Sequence, residues 1–209
     1  VVGNFNVSEQ LAIQSGMSVN IAWAGDGSDT VFGGGGNDRI GGGDGNDFVS
    51  AGAGDDIIYG GKGGTSNHDQ LEGGDGQDVI YASIGNDTVS GGAGNDIVYA
   101  GSGNDTVEGG SGDDTLWGGA GDDTLQGGVG SDSFGFSQGF GSDVILDFEI
   151  GDVIDLSGIG SLSIDVILAN VSYSDNGTKL DIEGEGSILL FGVDQTEFQT
   201  FTDAGQIVV

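Results

Sequence analysis

The sequence stands out first for what it lacks: it has no cysteine, no proline and only three cationic residues, Arg39, Lys62 and Lys179. Without cysteine, no disulfide bond can stabilise the fold, as disulfides do in many small extracellular domains. Without proline, every residue keeps the backbone N–H that a strand ladder needs. There is no apolar run long enough to cross a membrane and no signal peptide at the start, and we interpret the chain as part of a larger protein.

The scarcity of cations leaves a formal net charge of −31 in a chain of 209 residues. A surface of this charge repels phosphates, which excludes nucleic-acid binding and disfavours an anionic membrane surface. The length fits one or two domains. Cations from solution must balance the carboxylates if the fold brings them close together.

Glycine, in contrast, occurs 47 times, and much of it belongs to one repeated word of nine residues. The word reads G-G-x-G-(N/D)-D-x-U-x, where U is a large apolar residue, and it is clear in residues 91–99 and 109–117. Twelve copies follow one another between Ala24 and Gly135, with one interruption. The sixth place is always aspartate: Asp29, Asp38, Asp47, Asp56, Asp69, Asp78, Asp87, Asp96, Asp105, Asp114, Asp123 and Asp132. The eighth place is always apolar: Val31, Ile40, Val49, Ile58, Leu71, Ile80, Val89, Val98, Val107, Leu116, Leu125 and Phe134.

The repeated word predicts one turn and one short strand. Its last three places, x-U-x, have the alternation of a strand in which only U faces the interior. The first six places are predicted to form the turn, because glycine and asparagine tolerate positive φ angles. Two words then make a coil of eighteen residues, and stacked coils give an all-β, parallel β-solenoid with U between two sheets. A flexible Gly/Asp linker is the alternative, and the constant apolar eighth place argues against it.

Stacking the coils also brings the sixth-place carboxylates together. The odd-numbered copies, from Asp29 to Asp123, lie along one edge, and the even-numbered copies, from Asp38 to Asp132, lie along the other. At a strand spacing of about 4.8 Å, such a column repels itself unless cations lie within it. The available ligands are carboxylate and turn carbonyl oxygens, and a flexible, carbonyl-rich site favours Ca²⁺ over Mg²⁺.

The word resembles the calcium-binding nonapeptide repeat of RTX (repeats-in-toxin) proteins. The resemblance implies a right-handed parallel β-roll with about ten Ca²⁺ ions, each held between two turns that lie one coil apart. Without the ions we expect an expanded, disordered chain. The resemblance adds side-chain ligands from the fifth place: Asn37, Asn46, Asp55, Asn86, Asn95, Asn104, Asp113 and Asp122. It also adds backbone carbonyls from the turn glycines: Gly34, Gly36, Gly43, Gly45, Gly92, Gly94, Gly101, Gly103, Gly110, Gly112, Gly119 and Gly121.

The roll is predicted to span residues 24–135, and residues 1–23 are interpreted as an N-terminal cap, which the first coil of a solenoid needs. Asn20–Trp23 lies in register as a decayed copy of the word, and a substrate-binding role for this segment is the alternative. Four extra residues before Asp69 predict a bulged loop that holds His68, the only histidine. We expect this histidine to be solvated rather than a pH sensor or a metal ligand.

The outward-facing places differ between the two sheets. The ninth place carries Tyr59, Tyr81, Tyr99 and Trp117 in even copies but polar residues in odd copies. A contiguous exposed apolar stripe requires an explanation. Either the terminal segments or a second molecule covers it, or it is an aromatic platform for glycan rings or another partner. The threonine column at 88, 106 and 124 would suggest ice binding, which Gln70 in the same column disfavours.

From Phe136 the repeat stops, and residues 136–209 are predicted to form a C-terminal β cap. Residues 141–157 resemble the D-x-I-x-D-F-x-x-G-D-x-I-D-L-S segment that closes the β-roll of serralysin-type metalloproteases and alginate-epimerase R modules. That resemblance places the signal for type I secretion in this region. Val171–Leu180 predicts a hairpin with an Asn-Gly turn, and Ser187–Val193 predicts a further strand. Four aspartates of this region could bind a further ion: Asp143, Asp147, Asp152 and Asp155. Asp147 and Asp155 could equally be ordinary turn residues.

The predicted function is that of a calcium-binding RTX module, which folds when it binds extracellular Ca²⁺ and engages the type I secretion machinery. The resemblance implies a secreted or cell-surface protein of a Gram-negative bacterium. The sequence has no H-E-x-x-H zinc motif and no cysteine nucleophile. We therefore predict no catalytic residues and place any protease, lipase or epimerase activity elsewhere in a larger protein. The alternative is an adhesin or enzyme-accessory module that binds a polysaccharide or associates with itself through the aromatic stripe.

Overall fold

The structure is a computed structural model that describes residues 10–12, 21–61, 67–160 and 163–209. Within those residues it has twenty strands and two helices. The strands before the last repeat are β1 (Gln10–Ala12), β2 (Ile21–Asp26), β3 (Thr30–Gly35), β4 (Arg39–Asp44), β5 (Phe48–Ala53), β6 (Ile57–Gly61), β7 (Gln70–Asp75), β8 (Val79–Ile84), β9 (Thr88–Ala93), β10 (Ile97–Ser102), β11 (Thr106–Ser111), β12 (Thr115–Ala120) and β13 (Thr124–Val129). The later elements are β14 (Ser133–Ser137), β15 (Gly141–Ile145), β16 (Val153–Gly158), α1 (Ile164–Leu168), β17 (Val171–Ser174), β18 (Gly177–Ile182), β19 (Gly186–Phe191), α2 (Gln195–Asp203) and β20 (Ile207–Val208).

The strands form two sheets, because each strand of the roll pairs with the strand one full coil away. The odd sheet has eleven strands in the order β1-β3-β5-β7-β9-β11-β13-β15-β19-β18-β17, and the even sheet has nine in the order β2-β4-β6-β8-β10-β12-β14-β16-β20. Every pairing in the roll is parallel. The register matches residues eighteen apart, such as Val98 with Leu116, or twenty-two apart across the insertion before Asp69, such as Val49 with Leu71. The predicted fold class is confirmed: the chain is a parallel β-solenoid of about seven coils.

The strands are longer than the three-residue segment predicted from the word. Strand β10 runs from the seventh place of one copy to the third place of the next, and both Val98 and Ala100 in it are 0% exposed. Only the fourth to sixth places form the turn. The prediction that the eighth place alone faces inward is therefore wrong, because the residues at the first to third places continue the strand and the first place also faces inward.

The interior of the roll consists of stacked columns of side chains. The eighth-place residues are 0–1% exposed, and burial of each stabilises the fold by roughly 1.5–3 kcal/mol. The first place holds only glycine or alanine, and Ala51, Ala82 and Ala100 there are fully buried. The apolar core is accordingly thin, and the turns must contribute to the stability of the fold.

Strand β2 confirms the decayed copy of the word ahead of the first repeat. Ile21, Ala22 and Trp23 pair in register with residues 39–41, and Ala22 takes the inward position with 0% exposure. The rest of the predicted N-terminal cap, apart from β1, lies outside the described residues. The same applies to residues 62–66 of the bulged loop.

The C-terminal region extends both sheets beyond the repeats. Strands β17 and β18 form the predicted hairpin. Its two-residue turn is Asp175-Asn176 instead of the predicted Asn-Gly turn, because Gly177 already pairs with Ser174. Strand β18 also pairs antiparallel with β19. Strand β19 also pairs with β15, while the short β20 pairs with β16. The hairpin and the strand predicted from 187–193 are thus confirmed, and together they cover the last coil.

Two helices distinguish this cap from the strands-only prediction. Helix α2 begins at a capping box, in which the Asp194 carboxylate accepts a hydrogen bond from the Glu197 N–H at 2.9 Å and Glu197 accepts one from the Asp194 N–H at 3.0 Å. Phe201 of this helix lies edge-on to Phe148, with ring centroids 5.1 Å apart. These aromatic side chains close the end of the solenoid, which would otherwise expose its core.

Candidate metal-binding site

The sixth-place aspartates form two ladders, one along each edge of the roll. In each step, Oδ1 of one aspartate accepts a hydrogen bond from the backbone N–H of the aspartate one coil earlier, as Asp114 does from Asp96. The nitrogen–oxygen distances are 2.6–2.9 Å in every step. The odd ladder starts at Asp29 and the even ladder at Asp38, so the structure places the twelve aspartates on two edges as the sequence predicts.

The second carboxylate oxygen, Oδ2, is the unusual feature of these ladders. The sixth-place aspartates are only 1–3% exposed. A buried polar atom without a partner costs roughly 1–3 kcal/mol, and more when it is charged. Oδ2 is buried without a hydrogen-bond partner in Asp47, Asp56, Asp78, Asp87, Asp96, Asp105, Asp114 and Asp123.

Oδ2 lies beside the first-place residue of its own word. A Cβ atom built on Gly91 would lie 2.5 Å from Asp96 Oδ2 and 2.6 Å from the carbonyl oxygen of Gly109 in the next coil. The equivalent carboxylate and carbonyl oxygens converge beside Gly60 and Gly73. A first-place glycine thus leaves room in which two oxygens from successive coils approach each other, whereas alanine takes this place in the words of Asp56, Asp87 and Asp105.

The second-place and fourth-place glycines are required by the backbone of the turn. Gly92 and Gly94 have φ angles of +117° and +126°, in the region that favours glycine. A Cβ on Gly92 would also meet the carbonyl oxygen of Gly74, one coil earlier. Among the described residues, Ser83 is the only non-glycine with a positive φ, at 90°, and it occupies a second place. The turn glycines proposed to supply carbonyl ligands therefore stack in columns along both edges.

The fifth-place side chains form a separate ladder on the outside of each edge. Each of the eight predicted fifth-place residues is exposed and accepts a hydrogen bond from the backbone N–H of the fifth place one coil later, at 2.9–3.2 Å. His68 occupies a fifth place, and its ring Nδ1 lies 3.3 Å from the backbone nitrogen of Asn86. The imidazole thus takes the position of an asparagine side chain, and it is exposed, as predicted. These bonds give the fifth place a structural role, while its role as a ligand remains a prediction.

The described cations do not neutralise the aspartate ladders. Lys179 pairs with Asp181 at 3.0 Å on the exposed surface of the cap. Arg39 donates a hydrogen bond to the Tyr59 hydroxyl at 2.7 Å, and its guanidinium carbon lies 5.4 Å from the centre of that ring. A counter-charge for the buried carboxylates therefore has to come from solution.

The ladder carboxyls have a raised pKa. Burial is the main cause, and neighbouring carboxylates add to it, while the hydrogen bond from the preceding backbone N–H lowers the pKa without cancelling the effect. In this way the pKa rises from 3.8 to about 6 in Asp47 and to about 7 in Asp105. Further carboxyls with a raised pKa are Asp56, Asp69, Asp78, Asp87, Asp96, Asp114, Asp123 and Asp132.

The donor set fits a hard divalent cation. In the described part of the chain, no group of three or more His, Asp or Glu side chains converges on one point. Any ion in the turns would thus be held by one or two carboxylates together with backbone carbonyls. Oxygen ligands of this kind, on turns that can adjust their spacing, are typical of Ca²⁺ sites. The unpartnered carboxylate oxygens and the space beside the first-place residues are the features that fit such an ion.

Two residues of the ladders were not recognised as such in the sequence. Asp143 Oδ1 accepts a hydrogen bond from the Asp123 N–H, and Asp152 Oδ1 accepts one from the Asp132 N–H, each at 2.9 Å. Both lie twenty residues after their partner instead of eighteen. A single two-residue insertion between Asp132 and Asp143 shifts both residues out of a fixed period of nine.

The aromatic stripe on the even sheet is a continuous stacked ladder. Neighbouring ring centroids are 5.3 Å apart between Tyr59 and Tyr81, 5.2 Å between Tyr81 and Tyr99, and 6.4 Å between Tyr99 and Trp117. Trp23 joins the ladder at 5.7 Å from Tyr59. The sequence missed this residue, although its register in the decayed copy was a usable signal.

The two tryptophans at the ends of the ladder cover glycines. Trp23 pairs in register with Gly41, and Trp117 pairs with Gly135. A Cβ on either glycine would collide with the indole ring, so each tryptophan occupies two positions of the column. The near-parallel rings, with centroids 5.2–6.4 Å apart, are offset rather than stacked directly face to face, and Tyr99 remains 39% exposed. The described terminal segments do not cover the ladder.

Comparison with known proteins identifies the repeat. The profile of the RTX calcium-binding nonapeptide repeat matches four stretches, residues 16–49, 40–64, 63–98 and 99–134, which together span more than half of the chain. The chain belongs to this family. Its repeats are therefore RTX calcium-binding repeats. Asp143 and Asp152 lie beyond residue 134, the last residue that the family profile matches.

Individual relatives match parts of larger proteins. Over 59 residues the RTX chain is 44% identical to the endo-1,3-1,4-beta-glycanase EglC of Rhizobium meliloti (strain 1021), over 28% of this chain and 12% of the glycanase. The extracellular lipase LipA from Serratia marcescens is similar over 90% of this chain and 42% of the lipase, with 22% identity and a TM-score of 0.38. The AlgE6R3 subunit of the Azotobacter vinelandii mannuronan C5-epimerase is similar over 97% of this chain and 84% of the subunit, with 22% identity and a TM-score of 0.29.

Neither of the helices described in the cap could cross a lipid bilayer, since both are too short and too polar for a transmembrane span.

Proposed function

We propose that this chain is a calcium-driven folding module of a secreted protein, and that it is not catalytic by itself. It folds when Ca²⁺ fills the turns between successive sixth-place aspartates, and this folding supports export through a type I system. The observation that carries the proposal is the row of buried Oδ2 atoms without hydrogen-bond partners. A catalytic activity, such as that of a lipase, an epimerase or a protease, would reside in another part of a larger protein.

The size of the electrostatic penalty supports a requirement for calcium. Burial makes the ionised form of these carboxyls costly, which raises the pKa of Asp105 to about 7. Many such penalties fall on a fold whose net stability is usually only about 5–15 kcal/mol. At neutral pH without metal we therefore expect the roll to be unstable, and Ca²⁺ to remove the penalty by pairing with the carboxylates.

The calcium requirement would couple folding to the cell exterior. Extracellular modules typically bind Ca²⁺ with dissociation constants near 10⁻⁴–10⁻³ M. The chain would remain unfolded where calcium is scarce, as passage through a narrow channel requires, and would fold after reaching millimolar calcium. Folding outside the cell would then oppose movement back into the channel.

Small-angle X-ray scattering tests this proposal directly. For a chain of 209 residues, the radius of gyration is roughly 49 Å when unfolded and roughly 17 Å when compact. We expect values near the first in chelator and near the second in several millimolar Ca²⁺. A compact chain in chelator at pH 7.5 would contradict the proposal.

A second candidate function is partner binding through the aromatic ladder. The exposed surfaces of Tyr81 and Tyr99, at 36% and 39%, favour it. We expect a polysaccharide or a second copy of the chain to shift the Trp117 fluorescence of the calcium-loaded protein but to cause a smaller shift in Tyr99→Ala. An unchanged spectrum with glycans and a concentration-independent monomer would remove this candidate.

A further inference from the structure

The odd aspartate ladder does not end with the last repeat. Gly141, Ser142 and Asp143 reproduce the fourth, fifth and sixth places of the word. Gly141 has a φ of +98°, as fourth-place glycines do, and Ser142 donates its N–H to Asp122 Oδ1 at 3.0 Å, as fifth places do. Asp143 accepts from the Asp123 N–H at 2.9 Å and is 2% exposed. This turn is thus a thirteenth copy of the turn geometry, without the rest of the word.

An independent observation marks Asp143 as a candidate ligand. Its Oδ2 is buried and has no hydrogen-bond partner, like the Oδ2 atoms of the repeats. A Cβ built on Gly141 would meet the carbonyl oxygen of Gly121 and would lie 3.2 Å from Asp122 Oδ1. A fourth-place carbonyl and a fifth-place Oδ1 of the preceding coil thus lie beside Gly141, as Gly103 O and Asn104 Oδ1 lie beside Gly121 in the repeats.

The even ladder ends differently. Asp152 Oδ1 accepts from the Asp132 N–H at 2.9 Å, but Asp152 Oδ2 accepts from the Glu149 N–H at 2.8 Å. Both of its oxygens are thus satisfied by protein, and the fourth-place position before it is Ile150 instead of glycine. At the end of the even ladder, the Glu149 N–H therefore satisfies the Asp152 oxygen that would otherwise need an ion.

We propose that a further Ca²⁺ site lies between the turns of Asp123 and Asp143, beyond the repeats, and that no such site lies at Asp152. This inference rests on the proposed function. It raises the expected content by about one ion, to about eleven in place of ten. It also gives the ion a specific role, because Asp143 lies in β15, which pairs with β13 of the roll and with β19 of the cap.

The position of the site makes docking of the cap dependent on calcium. The turn before Asp143 contacts the cap directly, since the Gly139 N–H donates to Glu185 Oε2 at 2.8 Å. An ion at Asp143 would fix the turn from which β15 starts, and β15 in turn holds β19 and the hairpin. Loss of this one ion should therefore loosen β18 and β19 more than the repeats.

The test compares Asp143→Asn with Asp152→Asn, two isosteric changes at equivalent ladder positions. Calcium content is measured after equilibrium dialysis, and hydrogen exchange is followed in the peptide that spans residues 177–191. For Asp143→Asn we expect about one ion fewer per chain and about tenfold faster exchange in that peptide. For Asp152→Asn we expect the wild-type ion content.

Equal ion content in the wild type and Asp143→Asn would overturn the inference while leaving calcium-driven folding intact. Loss of an ion in both variants would also overturn it, because the two edges would then be equivalent. If Asp143→Asn does not fold in saturating calcium, anomalous scattering from wild-type crystals grown in Ca²⁺ tests directly whether an ion is bound at this position. A peak beside Asp143 Oδ2 supports the site, and its absence alongside peaks in the repeats rejects it. If the wild type binds no calcium at all, the proposed function itself is contradicted, and the further site is contradicted with it.

Discussion

At the scale of the residue, the sixth-place aspartate combines two roles in one carboxylate. Oδ1 joins successive coils by accepting a backbone N–H, while Oδ2 is left buried for a cation. The fifth-place side chain next to it faces solvent and joins the coils from outside. A carboxylate is therefore buried at the sixth place and exposed at the adjacent fifth place. Removing the charge of the buried carboxylate tests its role in binding a cation.

Asp105→Asn should weaken calcium-dependent folding, because it keeps the shape of the side chain but removes the charge from a buried oxygen. We expect at least a twofold higher calcium midpoint and a loss of roughly 1–3 kcal/mol of stability at saturating calcium. The control is Asp175→Asn, which makes the same charge change at an exposed position in the hairpin of the cap. Urea denaturation at fixed calcium measures both, and an equal effect of the two substitutions would contradict the role of the buried oxygen.

The sequence predicted the sixth and eighth columns because their residue types never vary between copies. It did not predict the inward-facing first place, because glycine and alanine give no hydrophobic signal. Nor did it predict the outer hydrogen-bond ladder, since Asn95 and Asp113 are equally compatible with a solvated turn. Asp143 and Asp152 do not fit a fixed period of nine residues. Their place in the ladders is seen only in the structure.

At the scale of the element, each half-coil is a six-residue strand and a three-residue turn. Positive φ angles occur at the second place, within the strand, and at the fourth place, in the turn, as at Gly92 and Gly94. Ser83 departs from this rule, because it holds φ at 90° in a second place that is otherwise glycine. For a residue with a side chain, this conformation costs on the order of 1–3 kcal/mol. The strain is local and should be relieved by substitution.

Ser83→Gly should stabilise the calcium-loaded protein by about 1 kcal/mol, which corresponds to an increase in Tm of roughly 2–4 °C for a domain of this size. The reciprocal substitution Gly92→Ser should lower the Tm by at least as much, because its Cβ would also meet the Gly74 carbonyl oxygen. Differential scanning calorimetry in saturating calcium measures both changes. A lower Tm for Ser83→Gly would show that the serine side chain contributes a stabilising contact that outweighs its strain.

The cap shows where element prediction from the sequence stops. The hairpin and β19 were predictable because apolar alternation and the turn residues around Asn176 specify them. Helix α2 was not predicted, although Asp194 and Glu197 form a capping-box pattern, because nine residues are too few for a clear helical period. Its two buried residues, Phe198 and Phe201, face the end of the roll.

At the scale of the whole molecule, the charge of −31 describes the metal-free chain. About ten Ca²⁺ ions would reduce it to roughly −11. The chain has only three cationic residues for its 34 carboxylates, so that calcium and protons are the main means of neutralising the buried ones. Protons should therefore substitute in part for calcium.

In chelator, we expect the chain to gain β structure as the pH falls from 8 to 5. The folded-state pKa of Asp47 is raised to about 6, that of Asp105 to about 7 and that of Asp143 to about 8. A raised pKa means that the stabilising contribution is present at low pH and is lost as the pH rises through 6 to 8. Far-UV circular dichroism above the isoelectric point of about 4.1 measures the change. A metal-free spectrum that does not vary over this range would show that the carboxylates are not buried without calcium.

The central claim is that calcium drives folding, and a calcium titration followed by far-UV circular dichroism tests it most directly. Starting in chelator at pH 7.5, we expect a disordered spectrum that converts cooperatively to β structure near 10⁻⁴–10⁻³ M Ca²⁺. Magnesium at the same concentrations should not produce the change, because its octahedral preference does not suit a flexible, carbonyl-rich turn. A β spectrum already present in chelator, or an equal response to magnesium, would contradict the account.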